Sequence, residues 1–296
     1  MTLTIDANGN QLERRASVLA STNRKGGAGK TTASHNLAAV WGQWGNRVLL
    51  VDLDTAHNLT TACGYPEDRL LTGGSWLLTG QADPWPIPTM PGCDLLPSGE
   101  KLRYGVEAMA KRVTGREKYI AKIIAPLRSS FDIILLDTEP DVDLSVTGAI
   151  AASSHVLLPC ITKPQPVQGV VRSLGLVSDI QEDGDFDVSV LGVLPIAFKP
   201  AGMGPAVLNT LVGMAHDAGY TCYPPIPYSE HAGKETIDSV PTALAQRNSP
   251  IGKAYRRAAA LIGHSVGLQV PLDILADGER EWRDMVGTIL GEEVPA

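Results

Sequence analysis

The chain has 296 residues, of which 44% are hydrophobic and 19% are charged, a composition typical of a soluble globular protein with one large domain or two small ones. Its formal net charge of −7 excludes a positive potential over the whole molecule that would attract nucleic acid. It still allows a local basic patch. No apolar run is long enough to span a bilayer, and the polar N-terminal segment lacks a signal core, so we expect a cytoplasmic protein.

The cysteines do not form a recognisable ligand pattern. Cys63, Cys93, Cys160 and Cys222 are widely scattered, no C-x-x-C pair occurs, and the six histidines show no H-x-x-x-H spacing. A zinc or iron–sulfur site within one chain is therefore disfavoured. We expect buried free thiols in a reducing compartment.

The first predicted elements are a loose tail at residues 1–15 and a short β-prone run at residues 17–22. That run leads directly into a glycine-rich loop, behind which apolar residues recur at helical spacing. The residues of this apolar face are Leu37, Val40, Trp41 and Trp44. Residues 47–54 then form an apolar run ending in acids, which is typical of a strand buried on both faces of a parallel sheet.

The order of strand and helix repeats downstream. A helical apolar stripe within residues 119–127 precedes a buried strand predicted at 131–137, and further strands are predicted at 154–160 and 188–196. This alternation predicts an α/β fold with a mostly parallel, twisted sheet flanked by helices in three layers. Ligands of such sheets bind at the carboxyl ends of the strands, where the glycine-rich loop and two acidic strand ends fall.

Two further segments complete the predicted organisation. Residues 72–92 are rich in Gly and Pro, which predicts a surface excursion. Residues 271–296 carry an apolar helical face opposite a net acidic face, whereas membrane-surface helices are usually basic on the polar side. We therefore expect this C-terminal helix to pack on the domain, which spans residues 16–270, or on a partner.

The loop "KGGAGKTT" has the character of a phosphate-binding P-loop. Its glycines let backbone N–H groups point inward and form an anion cradle with the N-terminus of the next helix. Lys30 is placed to reach the β- and γ-phosphates, Thr31 to ligate Mg²⁺, and Thr32 to bond a phosphate oxygen nearer the nucleoside. The predicted nucleotide-binding residues are Lys25, Gly26, Gly27, Ala28, Gly29, Lys30, Thr31 and Thr32.

The loop departs from the ordinary pattern at its start. G-x-x-x-x-G-K-[ST] requires glycine where this chain has Arg24, and Lys25 adds a second lysine. Lys30 and Mg²⁺ already neutralise part of a triphosphate, so a further cation needs a further anion. The residues alone leave open whether Lys25 serves the same nucleotide or one that is held by a second subunit.

The motif "KGGAGKTT" resembles the deviant Walker A motif, K-G-G-x-G-K-[ST], of the ParA/MinD group of P-loop ATPases. "RVLLVDLDTAHNLT" resembles the second family motif, and "FDIILLDTEP" resembles the Walker B segment. Weaker blocks match in order, so the resemblance spans about residues 17 to 262, and it is nearest to the ParA (Soj-like) branch.

The resemblance implies ATP and Mg²⁺ as cofactors and a role for each site residue. The lysine corresponding to Lys25 contacts the partner's nucleotide across an ATP-bound sandwich homodimer, much as an arginine finger does. Asp54 corresponds to the residue that orients the attacking water, and Asp137 to the one that holds Mg²⁺ mostly through water. Asp52 is expected to support the switch segment and, more weakly, the metal. The catalytic set is then Lys25, Lys30 and Asp54.

Two motifs depart from the family pattern. "DTAHN" replaces D-P-Q-G-N after the second strand, and "DTEPD" replaces D-T-P-P, which adds Glu139 near the catalytic centre. These changes leave the lysines, threonine and acids of the site in place. We expect them to alter the hydrolysis rate or the switching of the dimer.

The ParA resemblance also implies non-specific DNA binding and a ParB-like activator, which together position plasmids, chromosomes or other cargo on the nucleoid. Relatives often carry R-N-V-R where this chain has Tyr228 and His231 at the arginine positions, which weakens the expectation of DNA contacts. Basic residues remain at Lys253, Arg256 and Arg257, where they form either a weak DNA patch or a solvated helix face.

Two alternatives from the same superfamily stay open. A MinD-type or flagellar-type ATPase that acts at a membrane would need a basic amphipathic C-terminal helix, and the helix here is net acidic. A small-molecule reductase would need cysteines that bridge a cluster. A synthetase would need an additional substrate domain.

Overall fold

The computed structural model describes residues 15–81, 86–141, 144–183, 186–230 and 239–291. His231 and all but the last residue of the predicted N-terminal tail lie outside these ranges, as do the final five residues of the predicted C-terminal segment.

One eight-stranded sheet organises the described chain, in the order β3-β4-β2-β5-β1-β6-β7-β8. All neighbouring strands are parallel except the edge pair β3 and β4, which is antiparallel. The strands are β1 (Ser17–Ser21), β2 (Val48–Leu53), β3 (Ile87–Met90), β4 (Cys93–Leu96), β5 (Ile133–Thr138), β6 (His155–Ile161), β7 (Ser189–Ile196) and β8 (Thr221–Cys222).

Helices connect the strands and cover both faces of the sheet. They are α1 (Lys30–Gln43), α2 (Asn58–Ala62), α3 (Ser75–Thr79), α4 (Glu100–Ala110), α5 (Tyr119–Ile124), α6 (Leu144–Ala152), α7 (Pro164–Glu182), α8 (Gly204–Ala218), α9 (Thr242–Ala245), α10 (Pro250–Ser265) and α11 (Leu272–Leu290). Short 3₁₀ turns occupy Glu67–Arg69 and Ala125–Ser129.

The central strands are buried on both faces because they alternate between two cores. In β2, Leu50 packs into the core under α1 and α10, whereas Val51 faces the opposite core, under α4 and α5. Both β2 and β5 are buried along their whole length, as their continuous apolar sequences predict. The predicted α/β class with a mostly parallel sheet is confirmed, and all four cysteines are buried free thiols.

The predicted surface excursion at residues 72–92 is wrong for its helical part. Trp76 and Leu77 of α3 are buried in the core beneath α4, and the Trp76 indole Nε1 donates to the Pro97 carbonyl at 2.9 Å. The glycines that suggested a loop serve close packing, because a Cβ on Gly74 would overlap the backbone of Leu102.

The C-terminal helix α11 lies against α10 and α8. Val286 is buried in the core beside α8, and Trp282, Met285 and Ile289 pack around it. Within the described ranges, no helix combines the length and apolar character needed to cross a bilayer. The division into a tail, a domain and a separate C-terminal helix stays a prediction.

The burial of α3 predicts unequal costs for two neighbouring truncations. Trp76→Ala should lower the free energy of unfolding by about 3–5 kcal/mol, because it removes a fully packed indole and its hydrogen bond. Leu78→Ala is the matched control, since Leu78 is 40% exposed on the same helix, and it should cost less than about 1 kcal/mol. Urea unfolding measures both, and equal costs would contradict the burial of α3.

Candidate functional site

The P-loop connects β1 to α1 through residues 22–29 at the carboxyl edge of the sheet. Gly27 and Gly29 have φ angles of 69° and 93°, a region that favours glycine. Lys30 is buried, and its ammonium donates to the Asn23 carbonyl at 3.3 Å, so the loop closes around its own lysine. Burial lowers the pKa of Lys30, while the carboxylates of Asp137 and Asp54 oppose that shift.

Helix α7 holds the start of the loop. The Asn23 amide donates to the Pro166 carbonyl of α7 at 3.3 Å and to the Pro159 carbonyl of β6 at 2.8 Å, and the backbone N–H of Arg24 donates to the Ser173 hydroxyl of α7 at 3.1 Å. Arg24 lies outside the positive-φ region, so its backbone does not require the glycine of the ordinary motif. Sequence reasoning missed Ser173, because nothing local marks a residue 149 positions away as a loop partner.

Lys25 and Lys30 occupy different environments. Lys30 lines a cleft of about 610 Å³ together with the glycines of the loop, whereas Lys25 is exposed and does not line that cleft. Among the described residues, Lys25 makes no ion pair. The charge of Lys25 is therefore presented to the surroundings of the cleft and not to its interior.

A hydroxyl and a carboxylate meet on the metal side of the cleft. Thr31 Oγ1 donates to Asp137 Oδ2 at 2.7 Å, and Ser34 Oγ donates to Asp137 Oδ1 at 2.8 Å. Burial raises the pKa of Asp137 to about 6, although the hydroxyl donors and Lys30 favour the charged form. These oxygen atoms are of the kind that Mg²⁺ prefers, so the predicted roles of Thr31 as a direct ligand and of Asp137 behind it stay predictions that this geometry would accommodate. Ser34 was missed, although its position one helical turn after Thr31 signals the same face.

Asp52 binds the segment that follows β2 and does not line the cleft. It is fully buried, opposite Asp137 in the sheet register. Its Oδ2 accepts from the Thr60 backbone N–H at 2.8 Å and from the Thr60 hydroxyl at 2.7 Å, while Oδ1 accepts from the Asp54 N–H at 3.0 Å. Because both oxygens are engaged, the geometry favours support of the segment over metal ligation.

Asp54 lines the cleft at the start of that segment. Its carboxylate accepts from the Ala56 N–H at 2.8 Å, and its carbonyl accepts from the Ser98 hydroxyl at 2.6 Å. His57, at the position where the family motif has glycine, adopts a φ of 47°, in the left-handed region that favours glycine. Thr55 donates to Glu139 at 3.2 Å, so the two loops that depart from the family pattern contact each other.

The three basic residues predicted on α10 are not equally available for DNA. Lys253 is exposed, but Arg257 forms an ion pair with Glu281 of α11. Arg256 is half-buried, with its guanidinium 5.6 Å from the Trp44 ring centre. Of the three, Lys253 is thus the one that is exposed and forms no ion pair with another described residue.

The geometry of the loop and cleft is that of a P-loop nucleotide-binding protein. Sequence comparisons identify the family within this class. A family model described as an AAA domain matches residues 16–190, more than half of the chain. The chromosome-partitioning ATPase Soj of Thermus thermophilus is 30% identical over 81% of this chain and 93% of its own length. The sporulation initiation inhibitor protein Soj of Bacillus subtilis is 31% identical over 60% of this chain and 71% of its own length. The chain belongs to the ParA/MinD family of P-loop ATPases and is Soj-like within it.

Solved structures show the same fold. Cobyrinic acid a,c-diamide synthase of Mycobacterium smegmatis, with bound ADP and magnesium, matches at a TM-score of 0.70 and 27% identity over 86% of this chain and all of that chain. The cell division ATPase MinD of Pyrococcus furiosus matches at 0.68 and 19% identity over 84% and 99% of the two chains. The predicted family and ATPase class are confirmed, and the predicted cofactors agree with the groups bound in the synthase.

The contact of α7 with the loop predicts opposite effects at two glycines of one helix. A Cβ on Gly169 would overlap Asn23 Oδ1 and lie 2.9 Å from Lys25 Cβ, whereas Gly175 has open space around it. Gly169→Ala should weaken ATP binding about tenfold or more and destabilise the fold by about 1–3 kcal/mol. Gly175→Ala should bind ATP normally and gain up to about 1 kcal/mol. Titration with a fluorescent ATP analogue decides, and equal affinities would refute the contact.

Asp52 predicts a pH-dependent stability of the nucleotide-free protein. Burial and the neighbouring Asp137 raise the pKa of Asp52 to about 7, so the folded state retains a proton that the unfolded chain loses near 3.8. The stabilisation is complete at low pH and is lost as the pH rises through about 7. The stability of Asp52→Asn relative to wild type should therefore rise between about pH 5 and pH 8. Urea unfolding at both values measures this, and a constant difference would contradict it.

Proposed function

We propose that this protein is a ParA-type positioning ATPase that forms an ATP-dependent sandwich homodimer. The observation that supports it best is the contrast between the two lysines of the loop: Lys30 is buried in its own cleft, whereas Lys25 is exposed outside it. A lysine placed this way is suited to the phosphates of a second subunit, where it would stabilise charge that develops in the transition state.

Each site residue then has a defined part in ATP hydrolysis. The P-loop amides and Lys30 hold the phosphates, and Thr31 with Asp137 would hold Mg²⁺ on their oxygens. When bound, Mg²⁺ neutralises charge on the β- and γ-phosphates. Asp54 lines the cleft and would orient the attacking water, while Asp52 and Ser98 keep its segment in place. Lys25 of each subunit would complete the other's site.

The wider function follows the ParA pattern. We infer a ParB-like activator that stimulates hydrolysis, non-specific binding to DNA, and positioning of a plasmid, chromosome or other cargo on the nucleoid in the cytoplasm. The similarity to two Soj proteins supports this branch. Packing of the apolar face of α11 against the core beside α8 disfavours the MinD-type alternative, in which such a face would meet a membrane.

A second candidate rests on the diamide synthase. That chain is matched over its whole length, so the expected need for an additional substrate domain does not separate a synthetase from this protein. In a synthetase, turnover of ATP would depend on a carboxylate substrate. In the proposed ATPase, Mg²⁺ and ATP suffice for basal turnover.

Two substitutions test the dimer and the hydrolytic step separately. With ATP and Mg²⁺, wild type should elute as a dimer in sizing chromatography and release phosphate without a co-substrate. Asp54→Ala should retain the dimer and lose about 10²–10³-fold in turnover, because the water is no longer positioned. Lys25→Ala should lose turnover and also the ATP-dependent dimer.

The matched control is Arg24→Ala, which removes the adjacent cation and preserves the backbone bond to Ser173. It should dimerise as wild type does. A wild-type monomer at saturating ATP would refute the sandwich model. Phosphate release only in the presence of a carboxylate substrate would favour the synthetase.

A further inference from the structure

We propose that a basic face on α4, α5 and the segment between them binds the phosphate backbone of duplex DNA. This face is formed by Lys101, Arg103, Lys111, Arg112 and Lys122. The inference rests on the proposed function, because DNA is its expected partner, and it assigns the binding to a surface other than α10.

Charge is strongly segregated in this chain. Residues 101–128 contain eight of the 25 Lys and Arg residues but only two of the 32 Asp and Glu residues. The rest of the chain is therefore more acidic than its net charge of −7 indicates. A segment of an acidic protein that carries a large excess of cations has a local field suited to a polyanion, and five of its eight cations are assigned to the face.

The charged side chains of this face are accessible to a ligand. Arg103, Lys111, Arg112 and Lys122 are exposed, and Lys101 is half-buried. Within the part of the chain that the structure describes, none of the five forms a salt bridge. By contrast, the charge of Arg257 on α10 is paired with Glu281.

The shape of the face favours DNA over a membrane. Arg103 and Lys111 lie eight residues apart on and just after α4, about 12 Å along the helix axis, with the exposed Glu107 between them, and duplex DNA presents about seven phosphate charges over that length. A membrane-binding helix would expose large apolar side chains beside its basic residues. Here Leu102 and Met109 of α4 are fully buried in the core, and the large apolar side chains exposed beside the basic residues are Val113 and Tyr104. The exposed Tyr104 ring is flanked by Lys101 and Arg103, at 5.4 and 5.2 Å from its centre.

Binding on this face is compatible with the proposed dimer. The face is built by helices that cover one side of the sheet, whereas Lys25 projects from the loop at the carboxyl edge. Because the two surfaces belong to different elements, a dimer would retain one such face on each subunit, and avidity would strengthen weak contacts.

The test compares two double variants that remove equal charge. Lys111→Gln with Arg112→Gln should weaken ATP-dependent binding to a random-sequence duplex about tenfold at about 100 mM salt, with a salt slope shallower by about two. Arg47→Gln with Arg280→Gln is the control, since these arginines are paired with Asp132 and Asp277, and it should bind as wild type does. Fluorescence anisotropy over a salt series measures both.

Further variants make each outcome decisive. Lys111→Arg with Arg112→Lys should restore binding, and ATP-dependent dimerisation should persist in every variant. If wild type binds DNA but Lys111→Gln with Arg112→Gln binds equally well, the inference fails and the proposed function stands. If wild type binds no DNA at about 50 mM salt, the DNA step of the proposed function fails as well. Binding to phosphatidylglycerol vesicles instead of DNA would reassign the face to a membrane and overturn the inference.

Discussion

The nucleotide cleft depends on one buried carboxylate, that of Asp137 at the carboxyl end of β5. It accepts hydrogen bonds from Thr31 and Ser34 of α1, and it lies in register with Asp52 of β2. A charge in the centre of a sheet is costly unless donors surround it, and the two hydroxyls together with Lys30 offset that cost. The same bonds fix α1, and therefore the P-loop before it, to the sheet. The fold and the site are thus held by shared contacts.

The sequence predicts this fold well where local pattern and tertiary environment agree. Continuous apolar runs such as residues 47–54 and 131–137 become central strands, because both faces of a parallel sheet are covered. The pattern fails at Trp76, where glycines that usually mark loops permit close packing instead. It also cannot show the partners of Arg24 or Arg257, since Ser173 and Glu281 are distant in sequence and only the tertiary structure joins them.

The opening of the P-loop illustrates why a motif and its environment must be considered together. Arg24 occupies the position of a glycine without needing that residue's conformational freedom, and α7 holds its backbone from outside the motif. Lys25 follows directly and is exposed outside the cleft that Lys30 lines. Two lysines five residues apart therefore have separate electrostatic surroundings, which reduces the repulsion that their proximity in sequence suggests.

His57 gives the segment after β2 a property that the usual glycine would not. A residue with a Cβ is held there at a φ of 47°, a conformation that costs about 1–2 kcal/mol relative to the right-handed region. Glycine adopts the same angle without that cost. A difference of this size changes the population of an arrangement by roughly 5- to 30-fold. Because the His57 N–H donates to the Asp54 carbonyl at 2.9 Å, this cost falls on the turn that holds Asp54 beside the cleft.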